Sequence, residues 1–161
     1  MAGLYIREGI EQDVAPIYEL VPRIGRLTQH TPYTYWNLLH NFGNAAFVAL
    51  NSENEHVGFI TSHPTTLPKN EWFIWQVGIL PEYRGRGLID DLQDRVVQVA
   101  QESGAVALTT SIEADNPQSF TVFSRLAKRL DTGMYEIDSF TMPSDSPDQE
   151  PEVVFRIPLP K

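Results

Sequence analysis

The sequence contains no cysteine. That absence excludes disulfides, thiolate metal sites and a thiol nucleophile, so no acyl-enzyme can form on sulfur. No apolar run approaches the roughly 20 residues that cross a bilayer. The opening residues, MAGLYIREGIEQD, also lack the basic-then-apolar order of a signal peptide. A cytoplasmic protein with no membrane contact is expected. Basic residues are few: 12 Lys and Arg stand against 21 Asp and Glu, a formal net charge of -9. This balance disfavours a nucleic-acid partner and attracts cationic small molecules. Four histidines, at positions 30, 40, 56 and 63, show no metal-ligand spacing, so no metal is expected. Internal repeats and low-complexity tracts are also missing.

What is present suits a single domain over residues 1–161, with 42% hydrophobic and 20% charged residues, close to a globular average. A short strand is read at LYIREG. A helix follows from Glu11 to Val21, with Val14, Ile17, Tyr18 and Val21 at helical spacing. The stretch TPYTYWNLLHNF predicts a second helix opened by Pro32, with Tyr33, Trp36, Leu39 and Phe42 on its inner face. NAAFVALN and EHVGFITSH read as strands joined by the turn NSEN, and EWFIWQVGIL as a third. A helix from Gly87 to Glu102, a strand at AVALTTSI and a helix at NPQSFTVFSRLAKRL come next. The last of these has Asn116 as N-cap, Pro117 in the first turn and Phe120, Phe123 and Leu126 inward. MYEIDSFTM and EVVFRIPL are closing strands around a loop at residues 142–152. Hairpin and crossover connections together predict an α/β fold, one mixed sheet flanked by helices.

The junction VGILPEYRGRGL carries the chemistry. A strand running through two arginines and two glycines into a helix gathers backbone N–H groups at one point, which suits phosphate oxygens. Gly85 and Gly87 permit close backbone approach, and Arg84 and Arg86 can add charged hydrogen bonds. On this pattern alone a solvated turn with two exposed arginines is an equal alternative. The junction is neither a P-loop nor a dinucleotide fingerprint.

VGILPEYRGRGL resembles the acyl-CoA-binding core of the GNAT superfamily of N-acetyltransferases, whose pattern is Arg/Gln-x-x-Gly-x-Gly/Ala after a strand. Arg84 and Gly87 match its first two fixed positions, and Ile89 departs from the third. The resemblance implies a central, mostly antiparallel sheet splayed between its fourth and fifth strands, with acetyl-CoA as co-substrate. It implies backbone amides from Arg84 through Gly85, Arg86 and Gly87 to Leu88 on the pyrophosphate. Val77, Gly78 and Ile79 would lie along the pantetheine arm, with a strand bulge at Gly78. Asn116 and Phe123 would line the same arm. The Val77 N–H would stabilise the oxyanion of direct attack in a ternary complex. Asp90 and Asp91, in the first helical turn, are expected to repel the pyrophosphate.

FIWQVGILPEYRGRGL, NPQSFTVFSRLAKRL, HTPYTYWNLLHNF and EPEVVFRIPL follow the order and spacing of diaminobutyrate acetyltransferases of the ectoine pathway. This resemblance covers nearly the whole chain. It implies a small diamino acid as substrate, Trp75 as a pocket wall, Glu152 as a carboxylate for an ammonium group, and a homodimer. That branch usually has Leu-Asp-x-Asn before the tyrosines. The aligned residues here are Leu27, Thr28, Gln29 and His30, so Thr28 and His30 occupy substrate-binding positions without an acid. A histidine often found three residues before the glutamate is Gln149 here. Where many GNAT enzymes place a tyrosine acid, this chain has Phe123, as the diaminobutyrate branch does. Tyr33, Tyr35, Glu113 and His63 are therefore the candidates for handling protons. Two alternatives stay open from the sequence: an acetyltransferase for another amine, such as a polyamine, a lysine- or ornithine-like amino acid or an amine antibiotic, and a non-catalytic acyl-CoA-binding module.

Overall fold

The turn Asn51–Asn54 folds the chain back on itself because Asn51 Oδ1 accepts the N–H groups of Glu53 and Glu55 at 3.0 and 2.9 Å, and Asn54 takes a left-handed φ of 62°. In the computed structural model, which describes residues 3–143 and 149–161, this turn joins β2 (Phe47–Leu50) to β3 (His56–Thr65). Residues 144–148, part of the loop read at 142–152, lie outside the described residues. The remaining elements are β1 (Tyr5–Glu8), α1 (Val14–Ile24), α2 (Pro32–Phe42), β4 (Glu71–Ile79), α3 (Leu88–Glu102), β5 (Ala107–Glu113), α4 (Pro117–Arg129), β6 (Tyr135–Phe140) and β7 (Glu152–Pro158). Their order is the one read from the sequence.

The strands form one seven-stranded sheet in the order β1-β2-β3-β4-β5-β7-β6. Every pair is antiparallel except β4–β5, which is parallel and holds only from Glu71–Ala107 to Phe73–Thr109. The Thr110 hydroxyl donates to the Ile74 carbonyl at 2.9 Å just past this pairing, after which the strands part. Ile17, Leu20, Val21 and Ile24 of α1 are buried, as are Leu92, Val96 and Ala100 of α3.

Three local expectations change. The inner face of α2 is Tyr35, Leu38 and Leu39, while Tyr33 stands 72% exposed. Burying the Tyr35 ring is worth about 2–3 kcal/mol, and an unsatisfied hydroxyl would offset about 1–3 kcal/mol of that. The hydroxyl is satisfied, donating to Gln76 Oε1 at 3.0 Å and accepting the His30 N–H at 3.2 Å. Phe120 is 47% exposed and packs edge-on against Phe155 instead of entering the core. The bulge in β4 falls at Trp75, not Gly78, since Thr61 faces Gln76 while Ser62 faces Ile74.

A polar knot ties β1 to α1 and β3. Asp13, 1% exposed, accepts from Arg7 at 2.8 and 2.9 Å, from the Ile10 N–H at 2.9 Å, and pairs with His56 Nε2 at 2.7 Å. Burial alone would raise its carboxyl, but the hydrogen bonds from His56, Arg7 and Ile10 outweigh this and hold it well below the ordinary carboxylate range.

Candidate active site

Where β4 leaves β5, the sheet opens into a groove with three connected parts. The outermost, of about 490 Å³, is the junction itself. Pro81–Tyr83 make one helical turn, Arg84 returns to extended backbone, and Gly85 and Gly87 both take φ of 77°. That left-handed geometry costs a side-chain-bearing residue about 1–2 kcal/mol, and a β-branched one more. Gly87 is the residue before α3 and offers no side-chain cap, so the first N–H groups of α3 have no side-chain acceptor from it. We predict that Gly87→Val raises the Kd for acetyl-CoA about tenfold, by straining this backbone, as titration calorimetry would show. An unchanged Kd would remove the junction from the cofactor site.

Of the two carboxylates expected to repel a pyrophosphate, Asp90 lines the junction and Asp91 does not. Asp90 is drawn onto α4, accepting from Arg125 at 2.8 and 3.0 Å and pairing with Arg129 at 3.0 Å. Asp91 lines a separate hollow with Tyr5, Asp94 and Arg95. Ile89 turns toward Val122 and Phe123 and becomes apolar wall. The two guanidiniums on Asp90 offset its charge at the N-terminus of α3. Removing the clamp should uncover the Asp90 charge, so Arg125→Ala with Arg129→Ala is expected to raise the KM for acetyl-CoA several-fold, with the increase shrinking in 0.5 M salt. A salt-independent KM equal to wild type would contradict this.

Arg84 and Arg86 do not face the junction as free cations. Arg84 donates to the Ile24 carbonyl at 2.7 Å, pinning the end of α1, and Arg86 lies over the Tyr83 ring at 5.1 Å. The junction thus combines backbone amides and the helix dipole with the engaged guanidiniums of Arg84 and Arg125, a chemistry that fits a pyrophosphate.

The middle part, of about 490 Å³, runs between β4 and α4 along Val77, Gly78, Ile79, Asn116 and Phe123. A Cβ at Gly78 would lie 2.7 Å from Leu27 Cδ1 and 3.0 Å from Ile24, so a larger residue would have to push aside side chains from the end of α1 and the segment after it. The Gln76 N–H donates to Thr61 Oγ1 and the Leu80 N–H to the Val57 carbonyl, both toward β3. Alternation therefore points the Val77 N–H to the open edge of β4, into the groove. Asn116 caps α4, its Oδ1 accepting the Ser119 N–H at 3.2 Å.

The innermost part, of about 460 Å³, meets the middle one at Val77, Asn116 and Phe123. Its walls include Thr28, His30, Trp75, Glu113, Gln149 and Glu152, with Arg26 at the junction of the two parts. Glu113 and Glu152 stand directly opposite each other on β5 and β7, a like-charge pairing that destabilises a sheet by itself. Burial raises the Glu152 carboxyl above its ordinary value; the Ser111 hydroxyl opposes this and the Glu113 charge adds to it. His30 stacks on Trp75 at 4.4 Å with planes 30° apart.

Eight of the residues given a site role from the sequence share this innermost wall, Thr28, His30, Trp75, Val77, Glu113, Asn116, Phe123 and Glu152, together with Gln149. Tyr33 packs on Trp36 away from it. Tyr35 lies beneath it with its hydroxyl engaged, and burial raises its phenol above the ordinary value. His63 is turned to the Pro64 carbonyl between Phe42 and Phe73. Three contributors escaped the sequence reading: Arg26, Ser111 and Gln76. Gln76 was visible as the one amide in the run FIWQVGIL. Its Nε2 donates to the Thr28 carbonyl at 2.8 Å and fixes the loop before α2 over the cavity.

The Acetyltransferase (GNAT) family signature matches residues 11–127. The chain belongs to the GNAT acetyltransferase family. It is 31% identical over 154 residues to the L-2,4-diaminobutyric acid acetyltransferase of Halomonas elongata, covering 96% of this chain and 80% of that one. To the enzyme of the same name from Streptomyces coelicolor it is 32% identical, covering 97% and 93%. Among solved structures it is similar to diaminobutyrate acetyltransferase EctA from Paenibacillus lautus, in complex with L-2,4-diaminobutyric acid and coenzyme A, with a TM-score of 0.83, 21% identity and 96% and 95% coverage. The GNAT fold expected from the sequence is the fold observed, down to the parting of β4 from β5. As a GNAT member the chain is an acetyl-CoA-dependent N-acetyltransferase, the co-substrate supplying the thioester carbonyl that an amine attacks. No helix of the described residues is long and apolar enough to cross a membrane, and no cluster of metal-ligating side chains occurs among them.

Proposed function

We propose that this acetyltransferase acts on one primary amine of a small diamino acid, with L-2,4-diaminobutyrate as first substrate. One observation carries the reading: a single 460 Å³ cavity opens at Val77 and joins the Trp75 wall, the Glu113–Glu152 pair and Arg26. A diamino acid needs those three environments, carboxylates and an aromatic face for ammonium and a guanidinium for its carboxylate, Arg26 being held only by a long, exposed contact with Asp115 at 3.8 Å. In this reading backbone amides of residues 84–88 hold the pyrophosphate. Val77, Gly78, Ile79, Asn116 and Phe123 flank the pantetheine arm, and the Val77 N–H stabilises the oxyanion. The names of the curated relatives support the same substrate.

The test is proton NMR of the products from L-2,4-diaminobutyrate and from 1,3-diaminopropane, which lacks the carboxylate. Acetylation of diaminobutyrate at its side-chain amine, with slower turnover of diaminopropane, is expected. Preference for the diamine would favour the other reading, a GNAT enzyme of a different amine. That second reading draws on Thr28 and Gln149, which line the cavity where the diaminobutyrate branch has an acid and a histidine.

We further infer a cytoplasmic homodimer working in ectoine biosynthesis. Edge strand β6 leaves Tyr135, Ile137 and Phe140 exposed, and an apolar edge of this kind favours pairing. Light scattering should give twice the monomer mass; a monomer at micromolar concentration would refute the dimer.

A further inference from the structure

We propose that His30 is the base that takes the proton from the reacting ammonium group. The proposal rests on the reading of the innermost cavity as the amine site.

An ammonium of pKa near 10 has no lone pair to attack a thioester, so a neighbouring group must accept a proton. The cavity offers few acceptors. Glu113 and Glu152 face each other, and a pair of carboxylates stabilises an ammonium instead of discharging it. Tyr35 is sealed beneath the floor, Tyr33 and His63 are elsewhere, and Phe123 carries no proton. His30 lines the cavity, and its orientation is fixed from two sides. Its imidazole lies against the Trp75 indole at 4.4 Å, and its main-chain N–H donates to the Tyr35 hydroxyl, which is held in turn by Gln76. Gln76 also holds the Thr28 carbonyl two residues away. Among the described residues neither ring nitrogen of His30 has a hydrogen-bond partner, so one is available to substrate. Burial lowers the imidazole from its ordinary 6.5, which keeps it neutral at pH 7.

The step balances as follows. A ring nitrogen of His30 first accepts one ammonium proton, and the freed lone pair then forms the N–C bond to the thioester carbonyl. The C–S bond then breaks, its electron pair leaves on sulfur, and the thiolate takes the second nitrogen proton. The imidazolium returns its proton to solvent. Transfer from a group of pKa near 10 to an imidazole is uphill, and capture of the small fraction of freed amine by the thioester draws it forward.

Among the described residues, the charged and titratable groups that share this cavity or pack on His30 are Arg26 on its own segment, Tyr35 on α2, Glu113 on β5 and Glu152 on β7; β4 and α4 contribute none. The sign of the pH dependence follows. With a neutral base acting on the ammonium, kcat/KM is flat from pH 7 to 9. Without the base, only free amine reacts, and kcat/KM climbs about tenfold per pH unit over that range.

The test compares wild type with His30→Phe, which keeps a ring against Trp75 but has no nitrogen, using whichever amine of a diamine panel the wild type turns over best. We expect kcat/KM at pH 7 to fall about 10²- to 10⁴-fold, with the flat profile replaced by the climbing one and acetyl-CoA affinity unchanged. A wild-type rate and profile in His30→Phe overturns the proposal. Should that variant not fold, His30→Ala decides: a low rate restored by added imidazole supports the base, while an unrestored rate with the flat wild-type profile makes His30 a wall only and overturns it. A wild type that acetylates diamines but tolerates the variant refutes His30 alone; one inert to every amine overturns both readings.

Discussion

Glu152→Gln is expected to raise the KM for the amine about 10- to 100-fold, and the double change with Glu113→Gln on the order of 100-fold or more, while acetyl-CoA affinity stays near wild type. A hydrogen bond to a charged group contributes roughly 1.5–3 kcal/mol, and each 1.4 kcal/mol is a factor of about ten. The two carboxylates share one ammonium in this account, so their effects should not add. A stability measurement separates this role from a structural one. Glu152 is partly buried opposite a like charge, and burial raises its carboxyl, so the ionised form is disfavoured in the folded protein. Replacing it by the neutral isostere should leave Tm unchanged or raise it. Loss of amine binding with lost Tm would mean a strut; loss with preserved Tm is the result expected of a binding group.

Asp13→Ala carries the largest expected effect on stability, about 3–5 kcal/mol, because it strands the Arg7 and His56 side chains that converge on a buried charge. Asp13→Asn should cost less, since its amide still fills the space and accepts one bond. The pH dependence has a fixed sign. A carboxyl held below its ordinary value contributes stability that is complete above the unfolded-state pKa near 4 and is lost as pH falls toward the folded value. Urea midpoints of the wild type should therefore fall below about pH 4 more steeply than those of Asp13→Asn. Parallel curves would show that Asp13 is not the group responsible. The knot lies at the far edge of the sheet from the innermost cavity, joining β1 and β3, so catalytic constants at pH 7 should change little in any variant that stays folded.

Element order was legible because each strand and helix carried its own period and its own punctuation, such as NSEN before β3 and Asn116-Pro117 before α4. Rotation of α2 was not. Tyr33, Tyr35 and Trp36 are similarly apolar, and the choice of Tyr35 for the interior depends on Gln76, 41 positions on. The bulge at Trp75 is likewise a matter of register between Thr61 and Ser62 across β3, which no local pattern in β4 announces. In the candidate site, YRGRGL was readable as an anion junction, since the two glycines and the following helix are consecutive. Which arginine would face an anion was not readable: Arg84 is taken by the Ile24 carbonyl, 60 positions away. The fate of Asp90 also lay out of reach, because its partners Arg125 and Arg129 come from a different helix. Pairing of Glu113 with Glu152 followed from neither local sequence; it is a product of β5 and β7 becoming neighbours while β6 goes to the edge.

The most direct test of the whole account is thiol release from acetyl-CoA, followed at pH 8 with L-2,4-diaminobutyrate, ornithine, lysine and putrescine in turn. The account predicts saturable release that depends on the amine, with kcat/KM highest for L-2,4-diaminobutyrate. Equal inertness of all four amines, or release that does not depend on the amine, would contradict it.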